Sequence, residues 1–395
     1  MRRLPRRLHR FVYPFTLACI AALFAGVASA DAIDQARRMH DRLVGTPPDP
    51  TTLSEMVGFL PADPLAAAER AMQEPAFYNV ALKNFITPWT NEEQTVFADL
   101  NDYTALVIGL IRDERDFREV LTGDIAYVAD LATTPVTAPY SQFDNVHYEQ
   151  IQDLGVDLSD PLQLVQTEQS SLPDAQIGAA DAAGIMTTRQ AGMEFFRAGT
   201  NRRMLRFTSM NYLCRDLEQL KDVSLPADRI RQDVNRSPGG DSEIFHSECI
   251  GCHTGMDPLA GAFAYFEWDD VAGRVIHTPG QVQNKFLINQ NSFPGGYVTT
   301  DNRWDNFWRE GVNASLGWRA PASGGYGPQS MGLELAESRA FSLCQVEKVF
   351  EQVCFRPPRD AAEVQLVRDI ATDFEDSTYR MKTVFARVAV HCMGN

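Results

Sequence analysis

Five residues carry the plainest chemistry in the chain: Cys249-Ile250-Gly251-Cys252-His253, inside SPGGDSEIFHSECIGCHTGMDPLAG. C-x-x-C-H is the attachment signature of a c-type haem. Residues three and four apart share one face of a helix, so two thiols can reach the two vinyl groups on one porphyrin edge. His253 comes next and brings a neutral imidazole beneath the iron. Two other chemistries use a cysteine pair at this spacing. A zinc site would want two more Cys or His at short spacing, and none stands nearby. A thioredoxin-like site would want a βαβ context, which the flanks do not supply. The expected cofactor is one covalent haem c, with Cys249 and Cys252 as thioether anchors and His253 as proximal ligand.

The opposite axial position separates an electron carrier from a catalyst. A Met or His there tunes the potential and blocks substrate, whereas an open site admits peroxide or small ligands. Met331 is one candidate, in a Gly/Pro-rich loop whose composition is similar to the Met-bearing loops of class I cytochromes. His277, His391 and Met393 are others, as is an open or water-filled site; His40, His147 and His246 complete the available histidines. Met256 is too near His253 in sequence to cross to the far face of a haem.

Export fits this chemistry. Arg2, Arg3, Arg6, Arg7 and Arg10 form a basic n-region, Phe11 to Val27 an apolar run, and Ala28-Ser29-Ala30 an A-x-A cleavage site, so residues 1–30 read as a Sec-type signal peptide cleaved after Ala30. The expected location is the periplasm or another extracytoplasmic space. The whole chain has 395 residues and a net charge of −16. Without the five leader arginines, 31 basic residues face 52 acidic ones, a balance of −21. Such a surface repels nucleic acid and anionic membrane and would suit a basic redox partner. No later stretch reaches the ~18 apolar residues of a membrane-crossing helix. Oligomeric state is not readable.

Six cysteines follow the leader. Two go to haem, leaving Cys214, Cys344, Cys354 and Cys392, an even number for an oxidising compartment. If residues 344–354 form one helix, ten residues at about 1.5 Å rise hold that pair ~15 Å apart, beyond the roughly 7 Å reach of a disulfide. Cys214 then pairs with Cys344 or Cys354, and Cys392 takes the other. Buried free thiols are the alternative.

The elements that must position these groups read as mainly α, in modules around the haem turn, with a small irregular or β-hairpin region. Residues 31–132 form a helical module. One helix runs through Ile33, Ala36, Met39 and Leu43 to Gly45, a second restarts at Thr51 or Thr52, and a third spans Pro64 to Gln73. Thr90 and Glu93 make a capping box that opens a longer helix through Phe97, Leu100, Tyr103, Leu106 and Leu110. Residues 133–182, rich in Thr, Pro, Ser and Gln, read as a linker or long loop. In the haem module, 183–332, Thr200 can cap a helix over Asn201 to Arg215. Its Arg202, Arg203 and Arg206 either hold haem propionates or form salt bridges. Asp241 or Ser242 caps the haem turn, and Leu259, Phe263 and Phe266 bury the porphyrin. Val271 to Ile276 and Val282 to Ile288 suggest a hairpin, while Trp304, Phe307 and Trp308 stand at helical spacing, as core residues do. The C-terminal module, 333–395, expects helices over Leu333 to Cys354, Asp360 to Phe374 and Tyr379 to His391.

These residues carry a resemblance. The chain resembles a large family of secreted cytochrome-like proteins of planctomycetes and proteobacteria, loosely over residues 35–130 and better over 183–393. In that family a Gly-x-x-Thr segment and an Arg-bearing helix precede the haem turn, as Gly184-Ile185-Met186-Thr187 and Thr200-Asn201-Arg202-Arg203 do here. Asp-Pro-Leu and an aromatic run follow it, matched by Asp257-Pro258-Leu259 and Phe263 to Trp268, and Phe341 to Pro358 resembles its C-terminal helical module. Ala260 stands where the family has Gly, and Ala264-Tyr265-Phe266-Glu267 where it has Glu-Asn-Phe-Asp. The resemblance implies haem binding and leaves substrate open. Three functions therefore compete: an electron-transfer cytochrome, a haem enzyme of peroxidase or oxidase type, and a module in which haem stabilises a partner-binding fold.

Overall fold

The computed structural model describes residues 31–60, 62–197, 199–287 and 292–394. The expected signal peptide, its cleavage site, and Ile288 of the expected hairpin lie outside them. Among the described residues the fold is mainly α, with three two-stranded antiparallel sheets. No helix there is long and apolar enough to cross a membrane.

The N-terminal helices start on carboxylates. Asp31 accepts from the Asp34 amide to open Ala32–Val44, which Gly45 closes at φ 78°. Asp49 caps Pro50–Phe59 through the amides of Thr51 and Thr52, and Asp63 caps Pro64–Ala71. Proline at the first helical position has no amide to leave unpaired there, so the second helix begins just ahead of the threonines named from sequence. The largest correction concerns Thr90. It ends a 3₁₀ turn, Thr87–Thr90, with its hydroxyl donated to the Thr87 carbonyl at 2.8 Å. Asn91 then folds a loop by accepting from the Thr95 amide, and Phe97 stands 90% exposed. The helix begins only at Asp102, capped by Asn101 through the Thr104 amide at 2.9 Å. All eleven residues of Asp102–Arg112 are buried, as expected of a helix at the centre of a core.

Segment 133–182 is structured. It holds helix Val146–Asp153 and strand Leu164–Thr167, which pairs with Ala126–Ala129 in the register Ala126↔Thr167. The hairpin lies earlier than the sequence suggested, between Phe266–Asp269 and Arg274–His277. Phe266 and Trp268 alternate inward, Gly273 supplies the turn's positive φ, and Val271 is 98% exposed. Residues Asn284–Phe286 form a 3₁₀ turn instead of a second strand. Trp304 sits on strand Arg303–Asp305 and Trp308 on a 3₁₀ turn, both buried.

The expected loop around Met331 is a strand, Gly324–Tyr326, followed by helix Gly327–Ala336. The long C-terminal helix is two, because Ser338 turns its hydroxyl to the Phe341 amide and restarts the chain as Arg339–Cys354. Ala361–Asp376 and Met381–Cys392 follow. One hydrophobic core runs from Ala36 to Cys392. Two disulfides staple it, Cys214–Cys344 and Cys354–Cys392. Cys344 and Cys354 share one helix, so the pairing excluded from sequence is indeed absent.

Candidate functional site

The cysteine–histidine turn lies on one helical run, Ser242 to Ala260, interrupted by a π-helical turn over Phe245–Cys249. Asp241 caps its start by accepting from the Glu243 amide at 2.8 Å. Wide turns of this kind recur where a helix carries a functional group. The inner side of the run is fastened at the back. The Gly251 carbonyl accepts from the Asp222 amide at 2.9 Å, and the Thr254 hydroxyl donates to the Asp222 carbonyl at 2.9 Å. Trp308 packs so closely on Gly255 that a Cβ there would fall 1.9 Å from the indole nitrogen. Any side chain at 255 would push the helix off that ring. Gly251, Thr254 and Gly255 are buried, whereas Cys249, Cys252 and His253 are half-buried on the outward side.

Both thiols are free, although the other four described cysteines are paired. Cys249 packs against a small apolar cluster of Ile230, Val234 and Phe245, separate from the main core. Burial pushes the Cys252 thiol above its usual range, so it rests as a neutral SH. The sequence reading missed this cluster, placing Leu259, Phe263 and Phe266 beside the turn; all three are fully enclosed in the main core. Ile230 and Val234, four apart in a charged stretch, were the available signal.

His253 is held from below. Its Nδ1 lies 3.0 Å from Oδ1 of Asp257, one helical turn on. Asp257 is 2% exposed and also takes Nε and Nη2 of Arg202 at 2.6 and 3.0 Å and the Arg231 amide at 3.1 Å. Burial alone would raise this carboxyl, but Arg202 and then Arg231 hold it well below the usual carboxylate range. Arg202 spans to Asp233 as well, at 2.8 and 2.9 Å. Burial, then repulsion from Arg202, brings Arg231 down to about 10. Its Nη2 donates to the Thr200 hydroxyl at 2.6 Å, while Nε and Nη1 have no hydrogen-bond partner among the described residues. Arg203 pairs with Glu92, and Arg206 with Asp216 at 2.7 Å. The crowded arginines of this helix are thus salt-bridged to carboxylates of the chain.

The candidates for the second axial position are not brought to the turn. Met331 is fully buried in the main core, on a helix that packs against Glu119–Thr122 and Gly261–Phe263. His277 stacks on Phe266 with ring centres 4.4 Å apart. His40 and His147 bond the carbonyls of Thr46 and Ala138, and His391 faces Glu363 at 3.4 Å. Met393 follows the last helix, and its carbonyl accepts from Arg38. His246 is exposed on the same helical run as His253. Among the described residues, no three His, Cys, Asp or Glu side chains cluster as a metal-ion site would require.

Two half-exposed thiols three apart and a neighbouring imidazole anchored by one nitrogen fit the donor set of a covalently attached haem. A zinc ion would find too few ligands here. Comparison with protein-family models, curated proteins and solved structures finds no match to this chain.

Proposed function

We propose that the chain is an extracytoplasmic c-type cytochrome that carries one haem, bonded through Cys249 and Cys252 and ligated by His253, and that it transfers electrons. The observation that carries this reading is the pair of unbonded thiols in a chain whose other described cysteines are paired. The same two disulfides support an oxidising compartment. When bound, a haem supplies a one-electron couple. The chain's residues would do the rest. Cys249 and Cys252 hold one porphyrin edge, with Ile230, Val234 and Phe245 as the apolar neighbours that exclude water. Arg202, Arg203 and Arg206 are committed to carboxylates of the chain and the unpaired nitrogens of Arg231 are enclosed, so none of these four is assigned to a propionate. The acidic surface suits a basic redox partner.

A second reading, small-ligand or peroxide chemistry at an open sixth position, draws on one observation. Met331 and the buried histidines are packed away from the turn. Optical spectra of the matured protein separate the two. Low-spin ferric bands unmoved by cyanide, with no carbon monoxide binding when reduced, support the electron carrier. High-spin bands that respond to both ligands overturn it in favour of the enzyme.

A further inference from the structure

The geometry points to Asp257 as a positioning residue for His253: a carboxylate clamped through both oxygens by Arg202, which would hold the imidazole with its proton on Nδ1 and leave Nε2 free for the iron of the proposed haem. This rests on the proposed haem ligation. Oδ1 of Asp257 lies 3.0 Å from Nδ1, and both carboxylate oxygens already accept from Arg202. Oxygens so occupied act as acceptors toward the imidazole, so the proton sits on Nδ1 and the Nε2 lone pair is left for a metal. A ligating histidine held this way is a more basic donor. With haem bound, such a donor would favour the ferric state and lower the midpoint potential compared with a histidine bonded to a neutral group.

Arg202 gives the arrangement its rigidity. It joins Asp257 to Asp233, so helix Arg202–Tyr212, the segment around Asp233 and the cysteine–histidine turn meet at one carboxylate. Asp257 itself has no freedom to turn away. Both oxygens are bonded, and the Arg231 amide adds a third donor. The sequence therefore places the orienting group one turn beyond the ligand, in the Cys-His-x-x-x-Asp stretch.

The test compares Asp257→Asn with Asp257→Leu in full-length matured protein. Asparagine can still accept from Nδ1–H but carries no charge. Leucine does neither. The expected result is retained histidine ligation with a higher midpoint potential in D257N, and weakened or heterogeneous ligation in D257L. An unchanged potential in D257N with haem fully attached would overturn the inference. A measurement on the unmutated chain guards against variants that fail to fold. In haem-free full-length protein, nitrogen-15 NMR of His253 should show the proton on Nδ1, and a proton on Nε2 would overturn the inference equally. Absence of covalent haem from matured wild-type protein would instead strike the proposed function, and the NMR result would still decide the role of Asp257.

Discussion

At the scale of single residues, the protein buries several charged side chains, among them Arg112, Arg231, Asp257 and Glu334, and their partners differ in how fully they compensate. Asp257 is buried and ionised because Arg202 and Arg231 surround it. Asp102 is buried where it accepts the amides of Arg189 and Gln190 at 2.6 and 3.0 Å, joining the central helix to the start of helix Arg189–Phe195. Lys348 has less compensation. Its ammonium lies 4.2 Å over the Trp89 ring, and burial, only partly offset by Glu351, brings it down to about 7. An unfolded lysine titrates near ~10.4. Between these values the unfolded chain binds the extra proton, so stability rises with pH from about 7 to about 10 and the burial penalty is full below that window. Lys348→Met should therefore be more stable than wild type at pH 6, with the advantage shrinking toward pH 10. Denaturation midpoints across that range check it; a pH-independent difference would contradict the assignment.

At the scale of elements, the two disulfides close chain segments of unequal length, 130 and 38 residues. Each is expected to contribute about 2–4 kcal/mol, and the chain-entropy relation makes the longer one worth about 1 kcal/mol more. Cys214→Ala with Cys344→Ala should lower stability by more than Cys354→Ala with Cys392→Ala, as read from urea unfolding; equal losses would show that strain or residual structure outweighs loop closure. Much of this level was legible in the sequence. Helical spacing located most helices, and simple reach along one helix removed the Cys344–Cys354 pairing. The misses have local causes. The Thr90 signal was read as a cap, but Asn91 offered the backbone a competing loop. Phe266 stood against the porphyrin and Trp268 only in the aromatic run of the resemblance, so their inward alternation as a strand went unused. Around Met331, Gly and Pro suggested a loop, yet Pro328 sits in the first turn of a helix, where proline is tolerated. At the site, the turn itself was readable from spacing. Its clamp was not, because Asp257, Arg202 and Arg231 meet only through tertiary contacts.

For the whole molecule, the main core extends from the first described helix to the last, and the cysteine–histidine turn sits beside a satellite of only three buried apolar residues, Ile230, Val234 and Phe245. Local stability follows buried contact. Hydrogen exchange should be fast over residues 242–250 in haem-free protein, slow over Asp102–Arg112, and slower over 242–250 once the turn is loaded. Equal protection of the two segments without haem would contradict this division. The central claim is tested most directly by intact mass measurement of full-length protein expressed alongside a cytochrome c maturation system. The account predicts one haem-sized addition that survives denaturation and vanishes in the Cys249→Ala, Cys252→Ala double variant. A mature chain without that addition, or an addition that persists in the double variant, would contradict it.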